Sequence, residues 1–341
     1  MIILGIETSC DETSASLIKT DSKKLKVELL TNVISSSLTL HAKTGGIIPE
    51  VAAREQVKYI LPVIQEAIKP LQNPQKQIDA IAVTIGPGLI GSLLVGVETA
   101  RTFGFIWNKP LIPVNHLFGH IYANWISSDD NREIEFPAVA LIVSGGHTDL
   151  VLIKSHKETI WLGGTRDDAA GEAFDKTGRL LNLTYPAGPQ IEKLSEKIKD
   201  DLYHFPRPLI NSGDFDFSFS GLKSAVLREV EKIQKPNDKT TAQICFSLQV
   251  AIFDILIKKT FAAALKYDAK SILLGGGVSA NQTLRKRFEF EINKLKLNIP
   301  LFIPEKSLCT DNAAMIAAAG FFSNEFSNWD KITANPELYF D

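Results

Sequence analysis

The sequence has 341 residues, of which 45% are hydrophobic and 22% are charged, and its formal net charge is −2. This balance is typical of a folded protein of about two domains, and it excludes both a disordered chain and one whose overall positive charge would attract nucleic acid. The three cysteines, Cys10, Cys245 and Cys309, are odd in number and far apart, so we expect no disulfide framework and a cytoplasmic location. The N-terminus has no basic region before its apolar run, so we expect no signal peptide.

Two segments predict the same arrangement of a strand, a polar turn and a return strand. They are residues 1–7, 8–13 and 14–18, and residues 138–143, 144–149 and 150–153. The second hairpin starts about one domain length after the first, which predicts two lobes whose hairpin turns face a shared cleft. We assign residues 1–128 and 312–341 to the first lobe and residues 129–311 to the second.

The remaining elements mix helices with strands, which predicts an α/β fold. The predicted helices are 50–68, 185–201, 219–233, 241–267 and 312–322, with another beginning near residue 281 after a strand at 271–274 and three glycines. The uncharged run 80–97 is close to the minimum length of a membrane span, but Gly86-Pro87-Gly88 interrupts it. We therefore interpret it as a strand at 78–85, a tight loop and a helix from about Gly91, and we expect no membrane association.

His116 and His120 are four residues apart, so on a helix both imidazoles project from one face and can bind a metal. No glutamate follows His116, which argues against a zinc protease. The alternative is a pair of partly buried histidines that cap a helix. A metal site usually has a third protein ligand, for which Asp311 is the best candidate, although its position also fits a simple helix N-cap.

Three polar or glycine-rich turns follow predicted strands, at residues 8–13, 144–149 and 275–277. Backbone N–H groups in such turns can bind phosphate, and together the turns favour a nucleotide cleft. The alternative for each turn is ordinary turn chemistry. Asp168, Glu172 and Asp175 are predicted on one side of a helix, where they could bind ribose hydroxyls or Mg²⁺, or form a solvated acidic surface.

Four small residues recur every fourth position in a predicted helix: Ser92, Gly96, Ala100 and Gly104. Such a stripe lets a second helix approach closely. That helix could belong to a partner protein or to this chain.

Eight motifs follow one another along the chain: Gly5–Thr13, Gly45–Glu50, His116 with His120, Ser144–Thr148, Asp168–Lys176, Phe217–Lys223, Gly275–Asn281 and Thr310–Asn312. Together they resemble the TsaD family of tRNA threonylcarbamoyladenosine transferases. The resemblance extends from Ile3 to about Gly320. It implies a two-lobed actin/Hsp70/sugar-kinase-like (ASKHA) fold with a nucleotide cleft between duplicated lobes. It also implies transfer of threonylcarbamoyl from threonylcarbamoyl-AMP to the exocyclic amine of the adenosine next to the anticodon, in tRNAs that read codons beginning with A.

The resemblance also implies site residues. His116, His120 and Asp311 would bind one divalent metal, Fe²⁺ in this family, with Zn²⁺ or Mg²⁺ as substitutes in vitro. The residues expected to bind threonylcarbamoyl-AMP, ATP or ADP are Ile142, Val143, Ser144, Gly145, Gly146, Asp175, Gly188, Glu192 and Asn281. From their place in the first turn, we hypothesise Asp11 or Glu12 as the catalytic proton acceptor.

The resemblance implies a tRNA substrate, a TsaB-like paralogue and a TsaE-like ATPase. We expect the paralogue to dock on the helices near 50–68 and 92–104, including the small-residue stripe. The alternative functions are an ATP-dependent kinase or chaperone-like protein with Asp11 as base, and a non-catalytic scaffold. One position departs from the family pattern, because Gln56 stands where the family usually has histidine.

Overall fold

A computed structural model describes residues 1–21, 23, 25–126, 133–234 and 236–340. The chain forms two compact units, Met1–Arg132 with Pro304–Asp341, and Glu133–Ile303. The second unit ends at Ile303, just after the strand Leu301–Phe302 that pairs in its sheet, and not at the predicted position 311/312. Asp311, predicted in the second lobe, therefore belongs to the first unit together with the two histidines.

The strands follow, in chain order. They are β1 (Ile2–Glu7), β2 (Glu12–Asp21), β3 (Lys26–Ser36), β4 (Ala80–Gly86), β5 (Leu111–Asn115), β6 (Ala138–Val143), β7 (Thr148–Ser155), β8 (Glu158–Gly164), β9 (Ser271–Gly275) and β10 (Leu301–Phe302). The predicted strands at 78–85 and 271–274 correspond to β4 and β9.

The helices are numbered in the same way. They are α1 (Leu38–Thr44), α2 (Pro49–Ile68), α3 (Pro74–Gln77), α4 (Ile90–Trp107), α5 (His116–Tyr122), α6 (Ala170–Leu180), α7 (Gly188–Ser195), α8 (Ser220–Ile233), α9 (Asp238–Lys266), α10 (Gln282–Lys294), α11 (Lys306–Cys309) and α12 (Ala313–Ser323). The helix predicted at 185–201 is the shorter α7. Asp168 lies before α6 rather than on it, so the predicted acidic side of that helix does not include Asp168.

The two units contain five-stranded mixed sheets of the same topology. The strand orders are β3-β2-β1-β4-β5 and β8-β7-β6-β9-β10. In each sheet the hairpin strands are antiparallel, and the next strand, β4 or β9, is parallel to the first strand of the hairpin. Both predicted hairpins are confirmed, and so is the α/β class.

Side-chain alternation along β1 distributes its residues between two cores in the first unit. Ile3 packs in the cluster that contains α12, whereas Leu4 and Ile6 pack with α2 and α4 on the other face. In the second unit, α9 is apolar enough along 18 residues to cross a membrane, but 61% of that stretch is buried inside the structure. Such burial is typical of the core helix of a folded domain.

The small-residue stripe of α4 faces the interior of the first unit. Ser92, Gly96, Ala100 and Gly104 are all buried, and a Cβ at Gly96 would lie 2.4 Å from Oγ1 of Thr8. The expectation that this stripe is a docking surface is therefore wrong. Its small residues instead let α4 approach the turn after β1 within the same unit.

Candidate functional site

The two histidines lie on α5, which starts directly after β5. Asn115 caps this helix, because its Oδ1 accepts a hydrogen bond from the backbone N–H of Leu117 at 2.8 Å. His116 is 6% exposed and His120 is fully buried, and their ring centroids are 4.7 Å apart. The helix therefore presents both imidazoles on one face, as the spacing predicts.

Asp311 approaches these imidazoles from the start of α12. The N-cap of α12 is Asn312, whose Oδ1 accepts a hydrogen bond from Met315 N at 3.1 Å. Asn312, and not Asp311, is therefore the N-cap of this helix. Oδ1 of Asp311 lies 3.3 Å from Nε2 of His120 and 3.6 Å from Nε2 of His116.

The geometry of these three residues fits a single cation. Ligand atoms bound about 2.1 Å from one metal lie roughly 3.0–3.5 Å from each other, close to the separations seen here. Among the described residues, Nδ1 of the buried His120 has no hydrogen-bond partner, although unpaired buried polar atoms are costly, and its Nε2 has only Asp311 nearby. His116, His120 and Asp311 each offer one donor atom, all within 4.8 Å of one another, so this group could hold a metal ion.

Glu7 and Ser9 orient His116 from the other side of its ring. Nδ1 of His116 lies 3.2 Å from Oε2 of Glu7 and 3.1 Å from Oγ of Ser9. A carboxylate on one imidazole nitrogen directs the lone pair of the other nitrogen toward a metal. Burial alone would lower the pKa of His116, but the charges of Asp311 and Glu7 raise the pKa to about 9. The sequence predicts Ser9 in a turn that could line a phosphate and metal pocket and Glu7 at the end of a strand, but no local pattern indicates that either contacts His116.

The first turn adds two more carboxylates to the first unit. Burial, and then the charge of Asp311, raises the pKa of Asp11. Burial, and then the charge of Asp11, raises the pKa of Glu12 to about 8. Oε1 of Glu12 accepts a hydrogen bond from Oγ of Ser36, while its Oε2 is buried without a hydrogen-bond partner among the described residues. This concentration of acidic groups would be stabilised by a bound cation.

Two of the three predicted nucleotide-binding turns, 144–149 and 275–277, lie next to each other in the second unit. Ile142 of β6 pairs with Gly275 of β9, so the turns that follow these parallel strands are adjacent. Gly276 has φ +88°, and a Cβ there would lie 2.4 Å from the carbonyl oxygen of Val143, so only glycine fits this approach. Gly145 and Gly146 are exposed, with open space where their Cβ atoms would be, so a ligand can approach the backbone of this turn.

Hydrogen bonds connect the other predicted nucleotide-binding residues of the second unit. Oδ1 of Asp175 accepts from Ala187 N at 2.7 Å, directly before Gly188, and burial raises the pKa of Asp175 to about 6. Oε1 of Glu192 accepts from Gln282 N at 2.6 Å. Asn281 is the N-cap of α10, and its Nδ2 donates to Oε1 of Gln249 at 3.0 Å. These residues thus form a linked group around the starts of α7 and α10.

Comparison with known proteins identifies the family. The model of the TsaD family, described as tRNA N6-adenosine threonylcarbamoyltransferase, matches residues 28–318. The chain belongs to the TsaD family. It is similar to TsaD relatives of that name from Listeria welshimeri (47% identity over 99% of this chain and 96% of the relative) and Bacillus subtilis (48% identity over 95% and 91%).

Solved structures support the fold of this TsaD member. The crystal structure of HypF from T. kodakarensis has a TM-score of 0.60 and 14% identity, and covers 94% of this chain. A full-length HypF in a phosphate- and nucleotide-bound form has a TM-score of 0.55 and 11% identity, and covers 95% of this chain. The chain spans about half the length of either HypF chain, 47% and 46%. These likenesses confirm the predicted ASKHA-like fold class.

Proposed function

We propose that this protein transfers the threonylcarbamoyl group from threonylcarbamoyl-AMP to N6 of an adenosine in tRNA. The adenosine would be the one next to the anticodon in tRNAs that read codons beginning with A. The proposal is carried by one observation, the similarity of 99% of the chain to a relative named tRNA N6-adenosine threonylcarbamoyltransferase. The convergence of His116, His120 and Asp311 supports it, because a divalent metal site suits this family.

His116, His120 and Asp311 together form a candidate metal-binding group, which we call the metal group. This group would bind Fe²⁺, with Zn²⁺ or Mg²⁺ as substitutes in vitro. An imidazole pair with one carboxylate suits iron or zinc better than Mg²⁺, which prefers oxygen ligands. When bound, such an ion supplies Lewis-acid activation of an oxygen of the donor. His116 would bind through Nε2, since its Nδ1 faces Glu7 and Ser9.

The chain's own residues would position the donor and remove a proton. The turn amides at 144–146 would bind the phosphate of the adenylate, and Asp175 would accept hydrogen bonds from its ribose. Gly188, Glu192 and Asn281, together with Ile142 and Val143, would complete the adenylate site. The amine attacks the carbamoyl carbon as the bond to AMP breaks, and Asp11 or Glu12 would accept the proton released from nitrogen.

The two alternative functions are less well supported. A kinase or chaperone-like ATPase would hold Mg²⁺ on oxygen ligands and has no need of a buried imidazole pair. A non-catalytic scaffold would not need three converging donor atoms, and His116, His120 and Asp311 all remain in place.

A TsaB-like paralogue would dock on α2 and α4, and a TsaE-like ATPase and tRNA would complete the cytoplasmic assembly. Large apolar side chains are exposed on both helices: Val57, Tyr59 and Leu61 on α2, and Ile90, Leu94, Phe105 and Ile106 on α4. A groove of about 630 Å³ between the starts of these helices is lined by Pro49, Ala53, Leu89 and Ile90, among others. Exposed apolar side chains on two neighbouring helices favour a protein interface here.

The experiment is transfer of label from threonine to tRNA with bicarbonate, ATP, a donor-forming enzyme and the partner proteins. Wild-type protein should label the adenosine next to the anticodon, and His116→Ala should not. A complete assembly that never labels tRNA would contradict the proposal, and ATP hydrolysis by the purified chain alone would favour the ATPase alternative.

A further inference from the structure

Gln56 is a polar side chain on the buried face of α2. It is 1% exposed and follows the helical spacing of the buried residues Ala52 and Ile60. Burying an amide without hydrogen bonds costs free energy, so this position requires polar partners. The TsaD family usually has histidine at this position, so the hydrogen bonds of Gln56 show which contacts this chain makes in its place.

The amide nitrogen of Gln56 points at the backbone of the first turn. Nε2 donates to the carbonyl oxygens of Cys10 and Glu12 at 3.0 Å, and lies 3.2 Å from that of Thr8. All three neighbouring atoms are carbonyl oxygens, which only accept hydrogen bonds. The NH₂ group of the amide, and not its oxygen, must therefore face the turn. One side chain of α2 therefore holds three alternate residues of the turn.

This turn also supports the metal group. Ser9 lies between two of the three carbonyls, its backbone N–H donates to Oε1 of Glu7, and its hydroxyl lies 3.1 Å from Nδ1 of His116. Oε2 of the same Glu7 contacts Nδ1 of His116 at 3.2 Å. A shift of the turn would therefore move both groups that orient the imidazole.

We propose that Gln56 is a positioning residue for the metal group, which acts by holding the turn Thr8–Glu12 that presents Ser9 and Glu7 to His116. The proposal rests on the metal site of the proposed function. The proposal predicts that loss of the amide changes metal affinity and ligand geometry, although the hydrogen bonds of Gln56 Nε2 go to the backbone of the turn and not to the three ligands.

The test is titration of the full-length chain with Co²⁺ and Zn²⁺, with affinity measured by calorimetry and Co²⁺ geometry by its visible absorption. Gln56→Leu removes the amide at similar size, and Gln56→Asn keeps an amide that is one methylene too short. Gln65→Leu, at an exposed position of the same helix, is the matched control. Partners that orient a metal ligand typically contribute 10- to 100-fold in affinity, so we expect about 10-fold weaker binding and an altered Co²⁺ spectrum for both Gln56 variants, and no change for the control.

Two outcomes would overturn the inference in distinguishable ways. If the Gln56 variants unfold at lower temperature but bind Co²⁺ with wild-type affinity and spectrum, the amide has only a structural role. If Gln56→Leu does not fold, Gln56→Asn decides the question by the same two measurements. Wild-type protein that binds neither ion would contradict the metal site itself, and with it the role of Gln56.

Discussion

Nδ1 of His116 lies 3.2 Å from Oε2 of Glu7, which is 109 residues earlier in the chain. The same carboxylate accepts hydrogen bonds from Ser9 N and Thr84 Oγ1, so its position is fixed independently of the histidine. A buried carboxylate held in this way selects one orientation of the imidazole and leaves Nε2 directed at Asp311.

Glu7→Gln should weaken Zn²⁺ binding about 10- to 100-fold while keeping the fold, because the amide is isosteric but no longer carries the charge that favours the correct imidazole tautomer. Calorimetric titration of the purified chain measures this change. Glu28→Gln, at an exposed position of β3, is the control. Equal affinities of wild type and Glu7→Gln would show that the carboxylate does not act on the metal group.

Asp311→Asn should remove most of the stabilisation that a metal gives. A ligand at 100 times its Kd stabilises the folded state by about 2.7 kcal/mol. The wild-type protein should therefore unfold at a higher temperature with Zn²⁺ than without it, whereas the variant should show little increase. Asp330→Asn, in the exposed 3₁₀ turn 329–331, should behave like wild type. A variant that keeps the full Zn²⁺-dependent increase would exclude Asp311 as a ligand.

The raised pKa of Asp175, about 6, predicts a pH-dependent effect on stability. The folded state binds the proton more tightly than the unfolded state, so ionised Asp175 destabilises the protein above pH 6, and this cost disappears as the pH falls toward 4. Asp175→Asn, which can still accept the hydrogen bond from Ala187, should therefore be more stable than wild type at pH 8, by on the order of 1 kcal/mol. Urea unfolding of both proteins from pH 4.5 to 8 measures the difference, which should shrink below pH 6. A difference that is constant with pH would contradict the raised pKa.

Val57→Glu should disrupt binding of the TsaB-like paralogue. Val57 is 65% exposed on α2, so a charge there costs the monomer little but would be desolvated in an interface. We expect at least about 10-fold weaker binding of the paralogue, measured by calorimetry, with unchanged Zn²⁺ affinity. Leu265→Glu, at an exposed apolar position of α9 in the second unit, is the control. Unchanged paralogue binding by Val57→Glu would place the interface elsewhere.

Gly96→Ala should destabilise the protein although alanine is the better helix former. The added methyl would lie 2.4 Å from Oγ1 of Thr8, and such overpacking typically costs about 1–3 kcal/mol. Gly221→Ala in α8 provides the comparison, because its Cβ would be 3.8 Å from its nearest neighbour, Pro208 Cγ. Urea unfolding should show a loss for the first variant and little change for the second. A stable Gly96→Ala protein would mean that α4 can move away from the turn.

Local sequence patterns were sufficient for the parts of the molecule whose signal is local. The two hairpins followed from strands and polar turns, and the histidine pair followed from a spacing that holds on any helix. The third donor, Asp311, was proposed by family resemblance and by its place at a helix start, since no local pattern connects residues almost 200 positions apart.

The predictions that were wrong or missing concern contacts between segments that are distant in the sequence. The stripe of Ser92, Gly96, Ala100 and Gly104 has the same small residues whether it faces its own fold or another protein, and only the tertiary structure shows that Thr8 occupies that space. The pairing of Glu7 with His116, and of Gln56 with the turn, also depends on contacts between distant segments. The strand β10, with only two residues, is too short to be recognised from the sequence.

The insertion of the second unit between His120 and Asp311 fixes the order in which the three donor residues of the proposed metal group are made during translation. A nascent chain that has emerged up to residue 132 carries both imidazoles, yet the carboxylate opposite them has not been made. At ordinary elongation rates the ribosome needs roughly 10–35 s to add the intervening residues, long enough for that unit to fold first. The proposed metal group is therefore completed late in the biogenesis of this enzyme, and a product truncated before residue 311 would lack one of its three donor atoms.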